Sequence, residues 1–180
     1  MTIDTEDLLN SIMASLDRIA FVRSGDIPNI DLYMDQVTSY MQRQHIGFEV
    51  NENLTPAMIN NYVKQKVMPK ANGKKYDRDH IAYLTAIVLL KQVISVGDVK
   101  TLLGVQLADE DIRGFYDKFT GRLDKELTVA GDMISEDLSE KELSDLALEL
   151  AVSSYAQKLA CECILDILSG DEDENSKKKK

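Results

Sequence analysis

Residues 54–103, LTPAMINNYVKQKVMPKANGKKYDRDHIAYLTAIVLLKQVISVGDVKTLL, decide how the rest of the chain is read. Thr55 and Pro56 mark a helix start, Thr55 as N-cap and Pro56 at the first helical position, where its missing N–H costs nothing. The helix AMINNYVKQK that follows places Met58, Ile59, Tyr62 and Val63 on one face. Asn60, Asn61, Lys64 and Gln65 fall on or near the other face, and Pro69 ends the run. The turn KANGKKYDRDH contains Asn72-Gly73, the strongest short signal for a tight reversal. A two-stranded ribbon closed by that turn and carrying Lys70, Lys74 and Lys75 is therefore expected. Asp77 or Asp79 caps the next helix, HIAYLTAIVLLKQVI (80–94), which has almost no polar face. A helix of that kind lies inside, in contact with neighbours on several sides. Ser95 caps a short helix through Val99, Leu102 and Leu103, stopped by Gly104.

Charge singles out the same stretch. Residues 54–80 carry six Lys or Arg against two Asp, a balance of +4. Residues 1–53 carry three basic against nine acidic residues (−6), and residues 81–180 twelve against twenty (−8). A basic island in an acidic chain is what a local anionic contact looks like, although charged solvated turns also produce one.

Upstream, residues 5–23 place Leu8, Leu9, Ile12, Met13, Leu16, Ile19 and Ala20 at helical spacing, with Asp4 or Thr5 as N-cap and Gly25 as the stop. After Pro28, Asp31 caps a second helix, LYMDQVTSYMQRQ (32–44), with Leu32, Met34, Val37, Tyr40 and Met41 inward. A polar connection follows over 45–53, where Phe48 and Val50 allow a short strand. Downstream, an acidic first turn at Asp109 opens a helix with Ile112, Tyr116, Phe119, Leu123, Leu127 and Ala130 on one stripe, ended by Gly131. Ser139 and Glu142 form a capping-box pattern that starts a long helix through Leu168. Its broad stripe packs on 109–131 or against a second chain, and a homodimer is the expectation. The tail DEDENSKKKK reads as a disordered charge run.

The organisation expected is thus an N-terminal helix and helix-turn-helix unit over 1–104, a helical pair serving dimerisation or an effector over 105–170, and a tail over 171–180. The fold class is all-α with a small β-ribbon wing. No run of 18 apolar residues occurs, so no membrane partner is expected, and acids in MTIDTEDLLN speak against a secretory leader. Cys161 and Cys163 point about 200° apart on a helix, which suits neither a disulfide nor a shared metal. Two reduced, largely buried thiols in a cytoplasmic protein are the plain reading.

No nucleophile motif, P-loop, dinucleotide glycine pattern or HExxH occurs, and His45 and His80 are the only histidines. The reading is therefore not an enzyme, with no catalytic residue, metal or cofactor.

In the central stretch Ile59-Asn60-Asn61-Tyr62 precede Val67-Met68-Pro69, Tyr76 follows the turn, and Ser95-Val-Gly-Asp-Val99-Lys-Thr-Leu102-Leu103 closes it. That order resembles the DNA-binding half of MerR-type regulators, which are winged helix-turn-helix proteins. Over the longer span, IPNIDLYMDQVTSYM followed by LTPAMINNYVKQKVMPK is similar to an uncharacterised bacterial family, a domain of unknown function built on such a unit. Three departures stand out. Asn60 occupies a place where the regulators usually carry an Arg, Lys66 one where they usually carry a Gly turning out of the helix, and the 45–53 connection is longer than their tight turn.

The resemblance implies a DNA-binding transcriptional regulator whose partner is double-stranded DNA. Thr55 opens the helix 56–66 that would enter the major groove, where Asn60 or Asn61 can pair with an adenine edge. Lys64, Lys70, Lys74 and Lys75, with Tyr62 and Tyr76, would hold phosphates, which supply affinity without sequence choice. The same tyrosines also suit core positions, and the asparagines also suit a solvated face. The alternative is a protein–protein or ligand-sensing module that keeps the fold without DNA binding.

Overall fold

The computed structural model describes Gly25, residues 27–43, 54–134 and 138–178, with side chains as far as Gly170. The helix expected over 5–23 and the 45–53 connection lie outside the described residues.

The described residues are mostly helical, with one two-stranded sheet. In order they form β1 (Leu32–Tyr33), α1 (Met34–Arg43), α2 (Pro56–Lys64), β2 (Lys75–Tyr76), α3 (Arg78–Leu90), α4 (Val96–Gln106), α5 (Ile112–Asp132) and α6 (Glu140–Lys178). α3 is the axis. Eight of its 13 residues are buried, and α1, α4, α5 and β2 all pack on it. Its near-continuous apolar sequence requires those neighbours. Val93, expected inward on the same helix, lies beyond its end and is exposed, because the backbone leaves the helix at Lys91.

Asp77 closes the start of α3 by accepting from the His80 N–H at 3.2 Å. Ser95 and Asp98 form a reciprocal capping box at α4, as Ser139 and Glu142 do at α6. Gly104 does not stop α4, which runs on to Gln106. One helical glycine costs about 1 kcal/mol, and the burial of Val99 and Leu103 outweighs it. α5 starts at Ile112, not Asp109, with Asp111 as N-cap accepting from Gly114 N–H at 2.8 Å. Phe115, absent from the expected stripe, is buried and stacks on Phe119 with ring centroids 5.9 Å apart.

The sheet differs from the expected local ribbon. β2 pairs antiparallel with β1, Leu32 opposite Tyr76 and Tyr33 opposite Lys75, so its partner comes from before α1. Residues 32–33, read as the start of a helix, are extended, and α1 begins at Met34. The two-residue alternation of strands puts Leu32 and Tyr76 into the core and Tyr33 and Lys75 outside. The Asn72-Gly73 reversal is present as a single bridge, Asn72 opposite Lys75, with Gly73 at φ 66°. That positive φ is the first-position geometry glycine supplies in a two-residue hairpin loop.

Beyond Thr120 burial on α5 fades, and α6 meets the body through α4. Leu165 is buried and Cys161 and Leu168 are half-buried, whereas residues 151–160 are exposed all round. Cys163 is exposed, so the two free thiols are not both buried as the sequence reading had them. The segment 171–180, read as a disordered charged tail, carries helical backbone as far as Lys178. Among the described residues no helix is long and apolar enough to cross a membrane.

Candidate nucleic-acid interface

α2 is placed by its own inward face. Ile59 and Tyr62 are buried, and Met58 and Val63 pack partly against the core, as the spacing predicts. That anchoring turns Asn60, Asn61 and Lys64 outward, and all three are exposed. Thr55 caps the helix, its Oγ1 accepting from Met58 N–H at 3.3 Å. Asn61 Oδ1 accepts from Gln65 Nε2 at 3.2 Å, a bond that solvent or a ligand can displace because both groups are exposed.

The helix leaves through Lys66, whose φ of 61° is the left-handed conformation glycine favours. Val67 N–H bonds Tyr62 C=O at 2.9 Å and Lys66 N–H bonds Val63 C=O at 3.0 Å. This is a Schellman termination, so the exit geometry of a glycine is kept by a lysine. Pro69 lies beyond the helix end, not at it. Val67 and Met68 then turn inward and are buried.

The turn is tied to α3 through His80, which is only 3% exposed. Its Nδ1 lies 2.6 Å from Asp77 Oδ1 and its Nε2 3.1 Å from the Lys70 carbonyl oxygen. Asn72 Nδ2 donates to the other Asp77 oxygen at 3.0 Å. Burial alone would raise the Asp77 carboxyl, but the side-chain and backbone hydrogen bonds from His80 bring it below its ordinary value. The network holds both ends of the basic turn against the start of α3. Arg113, at 2.6 Å from Asp79, fastens α5 to the same helix start.

The candidate contact residues divide. Asn60, Asn61, Lys64, Lys74 and Lys75 lie on the surface. Lys75 Nζ stands 5.7 Å from the centroid of the Tyr33 ring, a cation–π arrangement. Lys74 borders a cavity of about 550 Å3 with Pro56, Tyr33 and Asp35, which joins the turn to the start of α2. Tyr62 and Tyr76 are core aromatics, Tyr76 packing edge-on against the His80 ring at 5.4 Å. Their rings are therefore placed by packing, and burial of the phenol raises the Tyr76 pKa. Lys70 is exposed but lines a different cleft, together with Lys66 and Lys100. Sequence reading missed Lys100, which lies thirty residues downstream in the acidic part of the chain.

A family model described as a domain of unknown function, DUF1836, matches residues 22–119, more than half of the 180-residue chain. The chain belongs to that family. The DUF1836 region spans β1 to the first part of α5, so it contains α2, the basic turn and the helices that position them. Its end at Phe119 falls where burial on α5 begins to fade, and all of α6 lies outside it. No curated protein and no solved structure matches the chain.

Proposed function

We propose that this DUF1836 protein is a DNA-binding transcriptional regulator of MerR-like winged helix-turn-helix type. In this reading α2 enters the major groove and the turn 69–76 is the wing. The supporting observation is the outward face of α2. A helix capped by Thr55 and anchored by Ile59 and Tyr62 presents Asn60, Asn61 and Lys64 to solvent within the basic island 54–80 of an acidic chain. Asparagine amides can pair bidentately with an adenine edge, and the lysines of helix and turn supply phosphate contacts. Tyr62 and Tyr76 have no place in that contact set, since both are in the core. A homodimer would present two such faces related by a two-fold axis.

Duplex DNA titrated by fluorescence anisotropy tests the reading. Four lysine–phosphate contacts predict an affinity loss of about a hundredfold between about 50 and 200 mM salt. Lys74→Glu/Lys75→Glu should remove most binding at either salt without lowering the melting temperature. Absence of binding at the lower salt would sink the proposal in favour of a module that keeps the fold for proteins or small ligands.

A further inference from the structure

Between the exit of α2 and the outer face of α4 lies a cleft of about 600 Å3. Its floor is apolar, made by the buried side chains of Val67, Met68 and Leu103. Lys66, Lys70, Lys100 and Tyr83 surround that floor. Among the described residues no aspartate or glutamate lines it, although the chain carries a net charge of −10. Among the described residues, too, none of the three lysines takes part in an ion pair. Asp79, whose charge reaches Tyr83, is bound by Arg113 at 2.6 Å and so partly neutralised.

An apolar depression of this size with a few convergent polar groups is the usual form of a small-molecule site. The charges select its ligand. Lysine stems can lie along apolar surface while their ammonium groups stay at the edge, giving a cationic rim over an apolar floor. Lys66 adds a conformational argument. An L-residue in left-handed backbone costs on the order of 1 kcal/mol relative to glycine, yet this position carries a lysine that lines the cleft. Gly104, without a side chain, keeps the α4 wall low beside Lys100.

We propose that this cleft binds an organic anion with an apolar body, a carboxylate or a phosphate monoester. The head group meets Lys66, Lys70 and Lys100, and the body lies on Val67, Met68 and Leu103. Lys70 belongs to both contact sets, but Asn60, Asn61, Lys64, Lys74 and Lys75 do not line the cleft, and Lys66 and Lys100 are no part of the DNA reading, so the two can be tested apart. It assigns a ligand site to the DUF1836 region itself and not to the C-terminal helices.

The test uses the full chain labelled for amide NMR and three probes of equal chain length, octanoate, octyl phosphate and octanol. Either anion should give saturable shifts at the amides of Val67, Leu103 and Gly104, and the one that does names the head group. Octanol should bind at least tenfold more weakly. Lys100→Glu, on the exposed face of α4, should weaken the anions at least tenfold, about 1.4 kcal/mol, at an unchanged melting temperature. Octanol binding as tightly as the anions, no saturable shift with either anion, or no effect of Lys100→Glu would each overturn the proposal. So would loss of duplex-DNA affinity in Lys100→Glu with octanoate binding intact, which would make the cleft part of a nucleic-acid face.

Discussion

α3 and α6 are both rich in apolar residues at helical spacing, and they meet opposite fates. α3 is enclosed by α1, α4, α5 and the sheet, with Leu84, Ala86, Ile87 and Val88 fully buried. α6 turns Leu165 inward but leaves Leu148, Val152, Tyr155 and Leu159 in solvent, Tyr155 at 69% exposure. Hydrophobic periodicity says that a face needs cover; it does not say whether the cover belongs to the same chain. α3 has no polar face, so only an interior position satisfies it. α6 has enough charge on its other faces to stand in water, so its stripe can wait for another molecule.

Leu84→Ala is the strongest way to break that comparison. Removing a fully buried leucine side chain costs about 3 kcal/mol, from lost transfer energy plus the cavity left behind. Chemical denaturation should show a lower midpoint with an unchanged slope. A cost under about 1 kcal/mol would mean that α3 is not the enclosed axis described above.

Next in size is His80→Ala, at about 2 kcal/mol. The change deletes the links to Asp77 and to the Lys70 carbonyl and empties a ring position that is only 3% exposed. The loss should be local as well as global. Amide hydrogen exchange should speed up through 70–77 more than through α5, whereas uniform acceleration would show that His80 is only a core filler. Lys66→Gly has the opposite sign. Relief of the left-handed lysine should raise stability by about 1 kcal/mol, read as a higher melting temperature. The same variant should lose affinity for the anion of the cleft, so stability and binding move in opposite directions.

These residues also show what was legible in the sequence. Caps were readable because they depend on neighbours three residues apart, as at Thr55, Ser95 and Ser139. The buried character of α3 was readable because nothing charged and only Thr85 among polar residues interrupts its apolar run from Ile81 to Leu90. The partner of β2 was not, since residues 32–33 alone carry no strand signal and are extended only because Lys75 and Tyr76 pair with them. Lys66 drew notice as a lysine in a glycine's place, but its backbone became visible only in the folded chain. Lys100 was hidden by distance along the chain. Charge counted in windows assigns it to an acidic third, while packing of α4 on α3 brings it beside Lys66 and Lys70. Of the proposed interface, the asparagines and lysines were readable as a polar face, and the tyrosines were ambiguous until burial placed them inside.

The smallest expected effect on stability is on α6, and there the comparison sharpens most. Its exposed row, Leu148, Val152, Tyr155 and Leu159, advances by alternating steps of four and three, the spacing of a helix–helix seam. The same steps lead to Asp145 and Lys141 on one side and to Glu162 and Asp166 on the other. A parallel pair in register would set Asp145, Glu162 and Asp166 each against its own copy. An antiparallel pair about the midpoint instead sets Leu148 against Leu159, Val152 against Tyr155, and Lys141 against Asp166. Its remaining like-charged contact, Asp145 with Glu162, is softened by Lys158, 3.8 Å from Glu162 within the chain. A homodimer through α6 is therefore expected to be antiparallel. Leu159→Ser should change monomer stability by less than about 0.5 kcal/mol while shifting the sedimentation equilibrium to monomer. With Cys161 and Cys163 replaced by serine, cysteine at Leu148 paired with cysteine at Leu159 should cross-link two chains under mild oxidation, whereas cysteine at Leu148 alone should not. A wild-type chain that sediments as a monomer at high concentration would leave the stripe to a different protein and remove the two-fold arrangement from the DNA reading.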